Sequence, residues 1–155
     1  MILKYFLYLS NSKMFKMKTK ETITVETLVN AHIEKVWQFW TKPEYITKWN
    51  TASEDWHTTR AENDLRIGGK FLSRMEAKDG SFGFDFEGVN DAIINNEKIS
   101  YTLLDDRKVT VLFSKVENGV KITETFEAEN ENSLELQQFG WQSILNNFKK
   151  YIEKN

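Results

Sequence analysis

The sequence predicts an α+β fold in which a curved antiparallel sheet of seven strands holds a long C-terminal helix. Three observations support this prediction. Turn signals recur at short intervals through the middle of the 155-residue chain, a long amphipathic pattern follows them, and two short helical patterns stand after the first strand-like run. Strands joined by short turns form antiparallel sheets, and an amphipathic helix buries its apolar face on such a sheet. The length favours one domain, which we place over residues 20–155.

Composition excludes several classes of protein. The chain has no cysteine, which removes disulfide scaffolds, thiolate metal sites and cysteine nucleophiles. Its formal charge of −2 gives no basic surface for nucleic acid. Aromatic residues make up 14% of the chain. That much ring surface suits either a plain core or an enclosed apolar cavity.

The first 19 residues differ in character from the rest. The apolar run from Met1 to Leu9 is interrupted by Lys4 and is too short to span a membrane, which takes about 20 apolar residues. A signal-peptide cleavage site is also lacking. We therefore interpret residues 1–19 as an extension outside the domain, with a weak interfacial anchor or an extra strand as the alternatives. We predict no membrane span and a cytoplasmic location.

The domain begins with a strand and two helices. Thr, Val and Ile residues alternate with polar ones from Glu21 to Leu28, which is typical of a half-buried strand. Residues 31–41 then carry a helical stripe that includes Trp37 and Trp40, and Asn30 is a possible N-cap. Pro43 suits the first turn of a second, short helix that ends near Trp49.

Six further strands are predicted up to residue 129. Gly, Asn and Asp pairs separate them, because these residues tolerate the positive φ that tight hairpins require. Asn118-Gly119 is the strongest of these turn signals. The expected strands are Trp56–Leu65, Phe71–Met75, Phe82–Ile94, Ile99–Leu104, Val109–Val116 and Val120–Ala128.

A long helix closes the chain. Ser133 is a plausible N-cap, and an apolar stripe that includes Trp141, Leu145 and Phe148 runs from Leu134 to Ile152 at helical spacing. A twisted sheet of seven strands curls, so such a helix can lie in its concave face. The space between the helix and the sheet is then a natural pocket.

Several short motifs occur in an order and spacing that resemble a known family. The chain resembles the START-like, or Bet v 1-like (SRPBCC), superfamily with its helix-grip fold. Within it, the chain is similar to the branch named after the C-terminal domain of the activator of Hsp90 ATPase (AHSA1-like). The resemblance covers about residues 20–153 and is carried by Val36-Trp37, Pro43, Trp49, Asp64-Leu65-Arg66-Ile67-Gly68-Gly69-Lys70-Phe71, Phe86-Glu87-Gly88-Val89, Arg107, Gly140-Trp141 and Leu145.

This resemblance implies fold more firmly than function, because one fold hosts many activities. Our leading hypothesis is a module that binds a small hydrophobic or aromatic molecule between the last helix and the sheet. One alternative is a co-chaperone-like interaction domain, with a chaperone partner and a role in stress response. The other is a cyclase- or hydrolase-like enzyme that uses the same cavity. Exposed edge strands also leave a homodimer possible.

Nine residues are candidates for contact with a ligand. Trp49 and Trp56 lie in loop-rich regions where binding residues concentrate, and core and pocket roles explain them equally well, whereas packing in the core explains Trp37 and Trp141. Phe82, Phe84 and Phe86 share one face of a strand, and we expect them to face the cavity together with Gly88. The nine are Trp37, Trp40, Trp49, Trp56, Phe71, Arg74, Phe84, Phe86 and Trp141.

Polar side chains give no assembled catalytic pattern. Arg74 shares a strand face with Glu76, and if that face turns inward the pair is an anchor for a ligand carboxylate or carbonyl. Phe71, Ser73 and Met75 on the other face compete for the inward position. Asp85 and Glu87 are expected on the convex face, and Arg107 is expected to be an exposed or turn-capping residue. His32 and His57 are too far apart in the chain to suggest a metal site, and no metal or cofactor is expected.

Overall fold

Seven antiparallel strands and three helices make up the part of the chain that the structure describes. The structure is a computed structural model that describes residues 20–155, so the extension predicted over residues 1–19 lies outside it. The elements are β1 (Thr22–Val29), α1 (Ile33–Thr41), α2 (Pro43–Trp49), β2 (Trp56–Asn63), β3 (Lys70–Ala77), β4 (Gly83–Ile94), β5 (Lys98–Leu103), β6 (Lys108–Val116), β7 (Gly119–Glu127) and α3 (Leu134–Lys154).

The strands form one curled sheet that holds α3. Their order is β1-β7-β6-β5-β4-β3-β2, so β1 and β2 are the edges and every pair is antiparallel. The register shifts between Thr58 and Arg60 and between Asn90 and Ala92. Such irregularities bend the strands and increase their twist. The α+β helix-grip fold with two short helices after the first strand is therefore confirmed.

A dense aromatic cluster fills one end of the space between α3 and the sheet. Trp40 lies 4.9 Å from the rings of both Trp49 and Phe148, measured between ring centroids, and 5.7 Å from Phe113. The Trp49 indole N–H donates to the Phe39 carbonyl at 2.8 Å, which satisfies its polar atom within the apolar surroundings. Helices α1 and α2 therefore close this end of the sheet with large, well-packed side chains.

The helix ends show one confirmed cap and one correction. The Ser133 hydroxyl accepts a hydrogen bond from the Leu136 N–H at 3.1 Å and caps α3 as predicted. Asn30 does not cap α1, because that helix starts later and His32 occupies the N-cap position. The Asn30 backbone N–H instead donates to the Glu153 carboxylate at 2.8 Å. None of the helices within residues 20–155 is long and apolar enough to cross a membrane.

Candidate functional site

A cavity of about 570 Å³ lies between the N-terminal half of α3 and the concave face of the sheet. Helix α3 contributes Leu136, Gln137, Gly140, Trp141 and Ile144 to its wall. The opposite wall comes from strands β2 to β5 and β7, and the segment from Asn50 to Trp56 forms a further side. A volume of this size is within the range of small-molecule sites.

Aromatic rings in tilted, edge-to-face and stacked contacts form the inner wall of the cavity. The Phe71 ring lies 4.7 Å from the Tyr101 ring and 6.1 Å from the Phe86 ring. Phe86 also lies 6.0 Å from Trp141, which stacks on Phe126 at 3.9 Å with an interplanar angle of 10°. These contacts hold the rings in fixed orientations, so the wall is a preformed apolar surface.

The mouth of the cavity has rings that are less tightly held. Trp56 lies about as far from Phe82 as from Phe84, at 6.1 and 6.0 Å, and Phe84 is 41% exposed. Leu65 and Leu136, both exposed, complete this apolar rim. Apolar side chains that remain accessible around an opening give a ligand surface to cover.

A tight loop between β2 and β3 is tied to the irregular part of β4. The Asn90 side-chain N–H donates to the Asp64 carbonyl at 3.0 Å, and its backbone N–H donates to the Gly69 carbonyl at 2.9 Å. A Cβ atom at Gly69 would collide with the Asp64 carbonyl oxygen, so this position requires glycine. The loop thereby fixes Leu65 at the rim.

Glu124 is a carboxyl group buried in the apolar wall. It lies on β7 between Ile122 and Phe126 in the row of side chains that faces inward, and it is only 7% exposed. Burial alone raises the pKa of Glu124 to about 8. At neutral pH its carboxyl group is therefore mainly protonated, and it can donate a hydrogen bond as well as accept one.

Tyr101 and Arg107 accompany Glu124 in the cavity wall. Burial, and then the nearby charge of Glu124, raise the pKa of Tyr101 well above its usual value, while Arg107 acts in the opposite direction. The Arg107 Nε donates to Asp105 at 2.8 Å. Arg107 was expected to be exposed or to cap a turn; it does bond to Asp105 in the turn between β5 and β6, but its side chain is largely buried at the cavity wall.

The segment before α3 is held by its own hydrogen bonds. Backbone N–H groups of Glu131 and Asn132 donate to the Glu129 carboxylate, and these bonds lower the pKa of Glu129. The Gln137 side chain donates to the carbonyls of Glu129 and Asn132 at 3.1 and 2.9 Å. The polar residues at this edge of the cavity thus serve mainly to fix the start of the helix.

Gly140 leaves open space in the middle of the helical wall. A Cβ atom at this position would meet nothing within 4 Å. Glycine within a helix costs about 1 kcal/mol of stability relative to alanine. No steric need for glycine exists here, and its absent side chain enlarges the cavity.

Seven of the nine predicted residues line the cavity, and the other two, Trp37 and Arg74, lie elsewhere. The seven are Trp40, Trp49, Trp56, Phe71, Phe84, Phe86 and Trp141. Trp37 is buried against Phe113, with ring centroids 5.4 Å apart, and belongs to the packed cluster. Phe82 is not one of the nine but was also expected to face the cavity. It precedes β4, is exposed, and contacts Trp56 instead of facing inward with Phe84 and Phe86.

Arg74 points away from the cavity. Its Nε donates to Glu76 at 3.0 Å and its Nη1 to Asp85 at 3.4 Å. Ser73 and Met75 on the same strand line the cavity, so strand alternation turns Arg74 to the outer face. The idea that Arg74 and Glu76 form an inward-facing anchor is corrected accordingly.

The sequence did contain a signal for Glu124 that our interpretation missed. Val120, Ile122, Glu124 and Phe126 alternate with polar residues along β7, and this places one acid in an otherwise apolar inward row. Arg107 and Tyr101 carried no comparable signal, because their position beside Glu124 depends on the curl of the sheet. Within residues 20–155, no group of three or more His, Asp or Glu side chains is placed to hold a metal ion.

Comparison with known proteins gives a family and a set of related structures. The profile of the family described as "Activator of Hsp90 ATPase homolog 1-like protein" matches residues 30–153. An AHSA1-like protein from Aeromonas hydrophila, solved by NMR, is 43% identical; 86% of this chain and 93% of that chain align, with a TM-score of 0.82. No curated protein matches the chain.

Two further solved structures extend the comparison. Chr148 from Cytophaga hutchinsonii is 49% identical over 88% of this chain and 93% of that one, with a TM-score of 0.73. Protein CV1439 from Chromobacterium violaceum is 22% identical over 87% and 99%, with a TM-score of 0.78, and at that identity it supports the fold alone.

Proposed function

The chain belongs to the family of Activator of Hsp90 ATPase homolog 1-like proteins, within the Bet v 1-like superfamily, and on that premise we propose that it binds a small apolar or aromatic molecule in the cavity beneath α3. The observation that carries this proposal is the aromatic cavity of about 570 Å³. Small-molecule sites are concave, mostly apolar spaces of about 300–1,000 Å³, and this cavity has the size and the lining of such a site.

The composition of the wall supports an apolar ligand. Phe71, Phe86 and Trp141 present ring surface to the space, and the rim adds Leu65 and Leu136. Apolar burial contributes about 25 cal/mol per Å², so burying about 200 Å² of a two-ring aromatic molecule contributes about 5 kcal/mol before the costs of association. A contribution of this size corresponds to a dissociation constant of about 0.2 mM, so we expect two-ring molecules to bind in the submillimolar to millimolar range.

Gly140 provides the sharpest test of the proposal. N-phenyl-1-naphthylamine is a neutral probe whose fluorescence rises when it enters an apolar cavity. We expect saturable enhancement with the unmodified chain and with Gly140→Ala, because a methyl group leaves most of the space free. Gly140→Phe places a ring in the cavity and should weaken binding at least tenfold.

Two controls make the result decisive. Circular dichroism and thermal unfolding establish that each variant is folded, and Gly140→Leu provides a smaller block if the phenylalanine variant is not. Equal probe affinity in the folded blocking variant and the unmodified chain would contradict binding in this cavity. Absence of any response to neutral aromatic probes would contradict the proposed function.

One observation favours the interaction-domain alternative. Phe139 on α3 is 71% exposed and Leu136, one helical turn before it, is 57% exposed, which is unusual for large apolar side chains. Together with the family description, this surface would suit a chaperone partner. The alternative expects a purified Hsp90-type chaperone to change its ATPase rate on addition of the chain and to lose that response with Phe139→Ser. An unchanged rate would contradict it.

The remaining interpretations stay predictions. Exposed edge strands allow a homodimer, which sedimentation at several concentrations would detect. A cytoplasmic location, a role in stress response and an enzymatic use of the cavity rest on the sequence and the resemblance alone.

A further inference from the structure

The carboxyl group of Glu124 has no hydrogen-bonding partner among residues 20–155. Its register neighbours across the sheet are Val25 on β1 and Val111 on β6, and both are almost fully buried. Within residues 20–155, no hydrogen bond or ion pair engages the carboxyl group, and burial is the only influence on its pKa. Buried polar groups are nearly always hydrogen-bonded, and leaving one unpaired costs free energy.

A ligand that forms a hydrogen bond with the carboxyl group removes the unfavourable free energy of leaving it unpaired. Resting on the function proposed above, we propose that Glu124 is the polar anchor of the cavity and that the ligand is a neutral apolar molecule with a carbonyl or hydroxyl oxygen. That oxygen accepts a hydrogen bond from the Glu124 carboxylic acid while the rest of the molecule lies against the aromatic wall. The Tyr101 hydroxyl, also in the wall, is a second donor near the same point.

The protonation of Glu124 favours a neutral ligand oxygen. Burial holds the pKa of this carboxyl group at about 8, so the acid is mainly protonated near pH 7 and presents an O–H group. A cationic amine would require the buried carboxylate form, and desolvating both charges offsets much of their attraction.

The other charged groups at the cavity do not favour an anionic ligand. Arg107 is the cation in the wall, and its guanidinium is already engaged by Asp105. Glu62 on β2 pairs with Arg60, and Glu129 accepts two backbone hydrogen bonds. Helix α3 contributes no titratable side chain to the cavity wall among the described residues. A carboxylate ligand would therefore meet more negative than positive charge.

Three probes with one skeleton distinguish these classes. They are 2-ethylnaphthalene, 2-acetylnaphthalene and 1-(2-naphthyl)ethylamine, which differ in having no polar group, a carbonyl group or a cation. Binding is measured from ¹H–¹⁵N chemical-shift changes at pH 6.5. One hydrogen bond to a buried group corresponds to a preference of about threefold to tenfold, so we expect 2-acetylnaphthalene to bind tighter than 2-ethylnaphthalene by that factor.

Two substitutions at Glu124 assign the preference to this residue. Glu124→Leu removes the donor and should abolish the preference for the carbonyl probe over 2-ethylnaphthalene. Glu124→Gln keeps an N–H donor in the same place and should retain the preference. At pH 9.5 the unmodified chain should lose it, because the carboxylate no longer donates, whereas Glu124→Gln should not.

The outcomes separate this inference from the proposed function. Equal affinity of the ethyl and acetyl probes, or a preference that survives Glu124→Leu, overturns the anchor but leaves cavity binding intact. Tighter binding of the amine, or of 2-naphthoate added as a fourth, anionic probe, overturns the neutral class of ligand. If none of the naphthalene probes binds, both the anchor and the proposed function fail for molecules of this type.

Discussion

The two halves of α3 face the same sheet but have different surroundings. In the C-terminal half, Leu145, Phe148 and Ile152 are completely buried. In the N-terminal half, the large apolar side chains Leu136 and Phe139 are mostly exposed, and Gly140 leaves space at the sheet side. Helices α1 and α2 account for the difference, because their tryptophans cover only the C-terminal half.

The comparison teaches that aromatic residues perform two tasks in this fold. At the packed end, Trp40 and Trp49 fill space against Phe148. At the open end, Phe71 and Phe86 line space that stays empty of side chains. Stability should therefore depend on the packed end, and ligand affinity on the open end.

Phe148→Ala should have the largest effect on stability. Its side chain is 0% exposed and contacts two tryptophan rings at 4.8 and 4.9 Å, so the substitution leaves a cavity that its rigid neighbours cannot fill. We expect the free energy of unfolding to fall by about 3–5 kcal/mol. Urea denaturation followed by tryptophan fluorescence measures this, and a loss below 1 kcal/mol would show that the packed end can relax.

Glu124→Gln should change how stability depends on pH. The pKa of Glu124 is about 8 in the folded chain and near its ordinary 4.5 when unfolded. Between these pH values Glu124 is protonated in the folded state and ionised in the unfolded state. The free energy of unfolding of the unmodified chain therefore falls as the pH rises. The variant should gain about 1.4 kcal/mol per pH unit relative to the unmodified chain within this window.

Unfolding curves at pH 5 and pH 8 test this prediction. The two proteins should be close in stability at pH 5, and the variant should be clearly the more stable at pH 8. Parallel pH profiles would mean that Glu124 is ionised in the folded state, which would contradict its burial in an apolar wall.

Gly140→Ala should stabilise the chain by about 1 kcal/mol, because alanine loses less backbone entropy in a helix and its methyl group has space. Thermal unfolding should show a higher Tm. Gly69→Ala is the matched contrast, since the added methyl group collides with the Asp64 carbonyl and should lower Tm. A destabilising Gly140→Ala would show that the space beside α3 is smaller than described.

Phe84→Ala should have the smallest effect on stability, less than about 1 kcal/mol, because the ring is already 41% exposed. It should nevertheless weaken binding of N-phenyl-1-naphthylamine, since the ring is part of the cavity wall. Phe139→Ala is the control: this ring is exposed but lies outside the wall, so probe affinity should not change. Equal affinities in the two variants would remove Phe84 from the site.

Local patterns predicted the fold well because each element carries its own signal. Pro43 marks the start of α2, Ser133 caps α3, and the Asn118-Gly119 signal lies at the β6–β7 turn, whose two loop residues are Glu117 and Asn118. The site was harder to predict, since it depends on which face of each strand turns inward. Both faces of β3 carry residues that could line a cavity. Only the assembled sheet shows that Ser73 and Met75 face inward and that Arg74 faces outward.

The pairing of β1 with β7 has a consequence for how the chain folds. Thr22 lies opposite Glu127, so the first strand meets its partner across almost the whole length of the domain. Contacts this distant in sequence are slow to form because the intervening chain must first be ordered. During synthesis, β1 therefore cannot pair with β7 until the chain has been made as far as Glu127. Helix α3 follows β7 in the chain, so the cavity can form only after that helix has been made.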